Sequence, residues 1–222
     1  MAVKLVVIKE EILKDNNEMS AMLRNKFKKN KTLVMNLMSS PGAGKTSVIL
    51  ETLGRLGGEI KSAVIEGDIT STVDAEKLDD VGVPTLQINT GGSCHIDSAM
   101  IEQAIVDFDL DPYDYIIVEN VGNLVCPAEF EVGEDIRVMI LSVPEGHDKP
   151  KKYPLMFTET EACLLNKIDL LPYTDFDMDE FKDTVKSLNP NTTIFPVSMK
   201  TKEGIDEWIK WIRGKIEDKM GG

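Results

Sequence analysis

The sequence has few histidines, few cysteines and no long apolar run. No apolar stretch approaches the ~20 residues of a membrane span. The N-terminal segment MAVKLVVIKEEILK has a short apolar stretch, closed at once by Glu10 and Glu11, and no small-residue cleavage site follows it. This is unlike a signal peptide, so we expect a cytoplasmic protein with no membrane partner. In that compartment the three cysteines are expected to be free thiols or metal ligands rather than disulfides.

The chain also lacks positive charge. It has 25 Lys and Arg residues and 38 Asp and Glu residues, which gives a formal net charge of -13. A protein this acidic does not bind along the phosphate backbone of a nucleic acid, so we expect no nucleic-acid partner. A small nucleotide can still be held by backbone amides. The 222 residues, 42% of them hydrophobic, suit one α/β domain with a real core.

Strands and helices alternate along most of the chain. The apolar runs are continuous rather than alternating, as in parallel strands buried on both faces. This order predicts a doubly wound, mostly parallel sheet of about seven strands over residues 31–222. The predicted strands are 32–38, 62–67, 85–88, 115–120, 137–143, 162–167 and 192–198. The predicted helices are 45–56, 72–81, 97–108, 176–188 and 204–219.

Residues 1–30 are predicted to form a separate N-terminal element. Apolar residues recur at roughly helical spacing between residues 9 and 29, which indicates an amphipathic helix. Such a helix either packs on its own domain or meets a partner helix.

The segment Ser39-Ser-Pro-Gly-Ala-Gly-Lys-Thr46 lies between a predicted strand and a predicted helix, the context that a phosphate-binding loop requires. Its two glycines let successive N–H groups point at one phosphate, and the helix N-terminus adds partial positive charge. Lys45 is expected to bridge the β- and γ-phosphates, and Thr46 to offer a hydroxyl to Mg²⁺. Ser39 stands where such loops usually have their first glycine. The expected contact residues are Pro41, Gly42, Ala43, Gly44, Lys45, Thr46 and Ser47.

Two other strands end in carboxylates. Asp68 follows strand 62–67 and Glu119 lies at the end of strand 115–120. The carboxyl ends of parallel strands converge on the ligand edge of a sheet, so both are candidates to hold Mg²⁺, directly or through water. Gly122 can offer an N–H to the γ-phosphate, as a switch loop does. Asp74 is a weaker candidate, because a solvated helix residue explains it equally well.

Asn166-Lys-Ile-Asp169 follows an apolar strand about 120 residues after the phosphate loop. Asp169 can accept hydrogen bonds from N1–H and the 2-amino group of guanine, and adenine lacks that pair of donors. Asn166 is expected to brace the loop, and the stem of Lys167 to cover the base. Ser198, Met199 and Lys200 follow the next strand, where GTP-binding proteins place a loop against the base. These motifs predict a site for GTP and GDP.

The chain resembles the nickel-incorporation GTPases of hydrogenase maturation, the HypB family, over about residues 33–215. The matching motifs are LMSSPGAGKT, EGDITSTVDAEKL, INTGGSCHID, ENVGNLVCPAEF, SVPEGHDKPKKYPLMF, LLNKIDLLPY and VSMKTKEGIDEW. The resemblance implies a SIMIBI-like P-loop GTPase that forms a homodimer, promoted by GTP. It also implies that the protein interacts with a nickel-delivery partner protein and with a hydrogenase large-subunit precursor. Some family members carry a His-rich run or a Cys-x-x-Cys-Gly-Cys segment. The 222 residues contain neither, so we expect no nickel storage.

Cys94, His95 and Cys126 are the candidate ligands for Ni²⁺ or Zn²⁺. Three ligands leave a tetrahedral site incomplete, and a second subunit could complete it. From composition alone, packed cysteines and histidine are an equal alternative. Cys163 lies inside an apolar strand and is expected to be a core thiol. His147 is first a polar loop residue and only second an accessory ligand.

Three other functions remain open at this point. A urease-type or other metallocentre-assembly GTPase is related, but the urease-accessory proteins carry a Cys-Pro-His order where this chain has Cys94-His95. A small-molecule kinase could use the same phosphate loop, although the guanine motifs disfavour it. A metal-binding scaffold could hold GTP without hydrolysing it. The sequence shows no arginine finger or water-positioning glutamine, so we expect slow intrinsic turnover.

Overall fold

The computed structural model describes residues 8–68, 78, 82–106, 108 and 112–221, and for residues 8–10 and 68 it describes the backbone alone. The predicted helix over 72–81, except for Leu78, and the weak candidate Asp74 lie outside the described residues.

Seven parallel strands form one sheet in the order β3-β2-β4-β1-β5-β6-β7. The predicted doubly wound, seven-stranded sheet is confirmed, and all its described ladders are parallel. The strands are β1 (Leu33–Ser39), β2 (Ser62–Asp68), β3 (Thr85–Asn89), β4 (Tyr115–Glu119), β5 (Ile136–Ser142), β6 (Ala162–Asn166) and β7 (Thr193–Pro196).

Helices cover both faces of the sheet, as continuous apolar strands require. The described helices are α1 (Ile8–Lys29), α2 (Lys45–Leu56), α3 (Ser98–Ala104), α4 (Cys126–Glu129), α5 (Lys149–Lys152), α6 (Pro154–Thr158), α7 (Met178–Leu188) and α8 (Ile205–Gly221). Short 3-10 helices lie at Val143–Glu145 and Ile168–Tyr173. Helices α2 and α8 pack on one face, and α1, α3, α6 and α7 pack on the other.

Helix α1 packs on its own domain. Leu23 and Phe27 are 3% and 0% exposed and lie in the core beneath the sheet. The helix passes so close to Gly133 that a Cβ there would lie 2.6 Å from the Cβ of Leu23, and Gly133 has φ +86. Of the two alternatives for this helix, packing on its own domain is the one observed in the chain.

Strand β1 is the point at which the winding of the sheet reverses. The next three strands in the chain, β2, β3 and β4, lie on one side of β1, and β5, β6 and β7 lie on the other. In doubly wound sheets a ligand binds at the carboxyl ends of the strands beside this switch point. The phosphate loop begins there, at Ser39, the last residue of β1.

None of the helices in the described part of the chain combines the length and the hydrophobicity that a membrane crossing requires.

Candidate functional site

The phosphate loop turns on two glycines. Gly42 and Gly44 have φ +75 and +107, a region that L side chains rarely adopt. Ser39 is fully buried, and its Oγ accepts a hydrogen bond from the Lys45 Nζ at 3.2 Å. The residue that departs from the usual glycine thus holds the loop lysine. The next two contact candidates, Thr46 and Ser47, lie in the first turn of α2.

Asn166 joins the guanine motif to the phosphate loop. Its Nδ2 donates to the carbonyl oxygen of Ala43 at 2.9 Å, and its Oδ1 accepts from the Met199 backbone N–H at 3.4 Å. The Nζ of Lys167 donates to the carbonyl oxygen of Gly42 at 2.7 Å. Three segments far apart in the sequence therefore meet, and these bonds tie Asn166 and Lys167 to the phosphate loop.

Asp169 faces a cleft of about 660 Å³ beside this loop. Its Oδ1 accepts a hydrogen bond from the Ser198 hydroxyl at 2.7 Å, which fixes the orientation of the carboxylate. Ser198 is itself fully buried and accepts from the Thr201 N–H at 3.1 Å. The cleft is lined by Gly44, Ser47, Leu50, Glu51, Asn166, Lys167, Asp169, Leu170, Met199, Lys200 and Lys202. The described lining thus includes the residues assigned to guanine except Ser198, which lies behind Asp169.

Gly44→Ala is expected to lower nucleotide affinity about tenfold or more. The left-handed conformation alone costs an L-residue roughly 1–2 kcal/mol, and the new Cβ would lie 2.5 Å from the Asn166 Nδ2. Gly54→Ala is the matched control, because Gly54 lies inside α2 with open space around its Cα. It should bind nucleotide normally and gain about 0.5–1 kcal/mol of stability. Nucleotide titration of both variants checks this, and equal affinities would contradict the observed loop geometry.

Two buried carboxylates lie side by side at the same edge of the sheet. Glu66 of β2 and Glu119 of β4 are paired in register and are 2% and 4% exposed. Each lies two residues beyond a strand residue that packs in the α2 core, so both point to the side of the phosphate loop. Asp68 lies further along β2, where its backbone pairs with Asn89. Sequence reasoning had assigned Asp68 and Glu119 and had given no role to Glu66.

Gly122 lies directly against the phosphate loop. A Cβ at Gly122 would be 3.0 Å from the backbone nitrogen and the Cγ of Pro41. A side chain at position 122 would require Pro41 to shift, so the glycine lets the segment after β4 lie directly on the phosphate loop.

The three predicted soft ligands meet at one point on the surface. The Sγ atoms of Cys94 and Cys126 are 2.9 Å apart, and the Sγ of Cys94 lies 3.6 Å from the His95 Nδ1. One ligand atom from each residue lies within 4.8 Å of the others. The His95 ring stacks on Phe130 with centroids 4.0 Å apart, which holds the imidazole in place. Thiolate and imidazole at these distances suit one soft or borderline divalent ion.

Burial adjusts the protonation of this cluster. Burial lowers the pKa of His95, and the charges of Asp97 and Glu129 partly oppose the shift. The lowered pKa of His95 favours the neutral imidazole, which is the form that binds metals. Burial also raises the pKa of the Cys126 thiol, and the neighbouring Cys94 raises it further. Both thiols would lose their protons when a metal binds.

Glu145 is a further residue that the sequence did not point out. Its carboxylate accepts from the backbone N–H and the hydroxyl of Ser142, each at 2.7 Å, and from the hydroxyl of Ser40 in the phosphate loop. His147, two residues on, accepts from the Asp177 N–H through its Nδ1 at 3.1 Å. It therefore supports the start of α7, and it is not part of the Cys94–His95–Cys126 cluster.

Residues 33–196 match the family described as CobW/HypB/UreG, nucleotide-binding domain. The hydrogenase maturation factor HypB of Escherichia coli is 44% identical over 209 residues, which cover 94% of this chain and 72% of that protein. The chain belongs to the HypB family. The hydrogenase/urease maturation factor HypB of Helicobacter hepaticus is 39% identical, and the match covers 97% of this chain and 88% of that protein. The crystal structure of HypB from Helicobacter pylori in complex with nickel superposes with a TM-score of 0.86 at 36% identity. The superposition covers 92% of this chain and 96% of the Helicobacter pylori chain. The resemblance found in the sequence is thereby confirmed at the level of family and fold.

Proposed function

We propose that this HypB-family protein is a GTP-hydrolysing metallochaperone that assists nickel insertion into [NiFe]-hydrogenase precursors. The observation that carries the proposal is that one segment serves two sites. Residues 119–126 run from a buried carboxylate, past the glycine that touches the phosphate loop, to a cysteine of the soft-metal cluster. A ligand in either site would therefore influence the other.

Guanine is bound by Asp169. Its oriented carboxylate accepts from N1–H and the 2-amino group, and an adenine base would leave it with no such donors. The buried bond from Ser198 supports this role, because it fixes the carboxylate before the ligand arrives. Met199 and Lys200 close the cleft against the base, and the stem of Lys167 covers its face.

Hydrolysis depends on positioned positive charge. Lys45 and the backbone N–H groups of residues 42–47 stabilise the charge that develops on the transferred phosphoryl group. The N–H of Gly122 reaches the γ-phosphate, a role supported by its contact with Pro41.

Mg²⁺ fits the donors that this edge of the sheet offers. The ion prefers hard oxygen ligands, and we assign it to Thr46, Asp68 and Glu119. Glu66 lies beside Glu119, and Asp68 is assigned from its backbone position on β2. When bound, Mg²⁺ would neutralise charge on the β- and γ-phosphates.

Nickel is the cargo and not a resident cofactor. Cys94, His95 and Cys126 hold it with one imidazole and two thiolates, and Zn²⁺ is the competing ion for the same set. Three ligands from one chain leave at least one coordination position of the ion open. In a homodimer that forms when GTP binds, a second copy of the chain occupies that position. An exchangeable site of this kind suits receipt from a nickel-delivery partner and release to a hydrogenase large-subunit precursor.

Urease maturation is a second candidate target. The observation that favours it is the relative at 39% identity that is named a hydrogenase/urease maturation factor. The two targets are separated by supplying the nickel-loaded protein to each metal-free enzyme and measuring which one gains activity.

Lys45→Ala is expected to reduce GTP hydrolysis roughly 10²–10³-fold, because it removes a side-chain cation aimed at the phosphates. The fold should survive, since Lys45 is only half-buried and points toward the loop. Lys182→Ala is the control, because Lys182 is an exposed lysine of α7. Phosphate release under multiple turnover is measured for both variants. Release by Lys45→Ala at the wild-type rate would refute the proposed hydrolytic site, and phosphorylation of an added acceptor would favour a kinase.

A further inference from the structure

We propose that Asn120 is the positioning residue through which nucleotide state reaches the Cys94–His95 half of the metal site. The inference rests on the proposed function and specifies how its two sites communicate. Asn120 follows Glu119 at the end of β4 and is fully buried.

The side chain of Asn120 joins three segments. Its Oδ1 accepts from the backbone N–H of Ile96 and from that of Val121, both at 3.0 Å. Its Nδ2 donates to the Asn36 Oδ1 on β1 at 3.1 Å. Its own backbone N–H donates to the carbonyl oxygen of Leu37 at 3.0 Å. Asn120 thus connects the strand that leads into the phosphate loop, the segment that touches that loop, and the segment that carries His95.

Ile96 is held from a second direction as well. Its side chain covers Gly67 of β2 so closely that a Cβ on Gly67 would lie 2.4 Å from the Ile96 Cδ1. Ile96 directly follows His95 in the chain. The Cys94–His95 segment is therefore fixed at the sheet edge by its neighbour's backbone and side chain, close to where the phosphates bind.

Cys94 and His95 precede a different helix from the one that Cys126 begins, so the sequence alone gives no reason for them to move with the segment after β4. In the structure, a displacement of that segment moves the Asn120 Oδ1, and the Ile96 N–H must either follow or lose a buried hydrogen bond. Because a buried N–H without a partner is costly, following is favoured. Both halves of the ligand set then respond to the γ-phosphate together.

Asn16 provides a matched control. Its Oδ1 accepts from the Ser98 N–H at 2.9 Å, and its Nδ2 donates to the Glu131 carbonyl oxygen at 3.0 Å. It therefore also ties the two ligand-bearing segments together. It does so from α1, on the far side from the phosphate loop. Loss of Asn16 loosens the metal site without interrupting the route from the nucleotide.

The test measures Ni²⁺ affinity by competition with a chromogenic chelator, in GDP and in a non-hydrolysable GTP analogue. The thiolate-to-nickel charge-transfer absorption is recorded in each state. For the wild type the two affinities should differ by about 5- to 150-fold, the usual range of coupled sites. Asn120→Ala should bring this ratio close to one and make the two absorption spectra alike. Asn16→Ala should weaken Ni²⁺ binding by the same factor in both states and leave the ratio unchanged. Asn120→Asp keeps an acceptor oxygen for Ile96 and should restore part of the ratio.

Three results would overturn the inference, and they are distinguishable. A wild-type ratio of one removes the coupling itself, and with it the switch in the proposed function. A wild-type ratio retained in Asn120→Ala removes only the role of Asn120. If Asn16→Ala loses the ratio of Ni²⁺ affinities as Asn120→Ala does, then any loosening of the metal site abolishes the coupling. That result also removes the specific role of Asn120. If Asn120→Ala does not fold, Asn120→Ser replaces it, since the serine hydroxyl is too short to reach Ile96.

Discussion

Asp169→Asn is expected to convert the site from one that binds GTP into one that prefers xanthosine triphosphate. In the proposed site the carboxylate accepts two hydrogen bonds from guanine, and bonds to a charged group contribute roughly 1.5–3 kcal/mol each. Their loss should lower GTP affinity by roughly 10²–10⁴-fold. The new amide can donate to the 2-oxo group of xanthine, so affinity for xanthosine triphosphate should rise.

The measurement is titration of both nucleotides against the wild type and two variants. Asp175→Asn is the matched control, because Asp175 is exposed and is not among the residues that line the cleft. It changes the charge equally and should leave both affinities unaltered. The Ser198 hydroxyl donates to the Asp169 carboxylate and can donate equally to an amide oxygen, so the variant should fold normally. If Asp169→Asn binds GTP as the wild type does, Asp169 does not read the base.

Cys94→Ala and Cys126→Ala are each expected to weaken Ni²⁺ binding about 100-fold or more, since even the loss of an outer partner of a metal ligand costs 10–100-fold. GDP affinity should stay nearly intact, because neither thiol lines the nucleotide cleft. In Cys126→Ala the difference in Ni²⁺ affinity between the two nucleotide states should also shrink, because Cys126 shares a segment with Gly122.

Cys163→Ala is the control for both cysteine variants. Cys163 lies in β6 with no exposed surface, and burial raises the pKa of its thiol far above the ordinary value. Its replacement should cost a little stability and leave Ni²⁺ affinity unchanged. Competition with a chelator measures the Ni²⁺ affinity of the three variants. Equal Ni²⁺ affinity in Cys94→Ala and Cys163→Ala would exclude Cys94 as a ligand.

The sequence predicted the sheet and the phosphate loop well, because both depend on short-range patterns. Continuous apolar runs located all seven strands within about two residues, and Gly42 to Thr46 form a local motif whose chemistry does not depend on distant partners. The guanine motif was recognisable for the same reason. Its contact with Ala43 was foreseen only as bracing, without the atoms that make it.

Contacts between distant segments could not be predicted in this way. The pairing of Glu66 with Glu119 depends on the register of β2 against β4, which apolar runs leave undetermined. The bond from the Ile96 N–H to the Asn120 Oδ1 joins residues 24 apart, with α3 and β4 among the described elements between them. Asn120 ends the predicted strand 115–120, but nothing in its local sequence shows that its side chain bonds to Ile96 and Asn36. The short helices α4, α5 and α6 were missed because four or five residues hold too little periodicity to detect.

The coupling of nucleotide to metal is the central claim, and one pair of titrations on the wild-type protein tests it most directly. Ni²⁺ affinity is measured in GDP and in a non-hydrolysable GTP analogue, and the preference for the analogue over GDP is then measured with and without Ni²⁺. Linkage requires the two factors to be equal, and a coupling of about 1–3 kcal/mol is typical. We predict two equal factors that both differ from one. Identical Ni²⁺ affinities in the two nucleotide states would contradict the account, and would leave a metal site and a GTP site that share a domain without acting on each other.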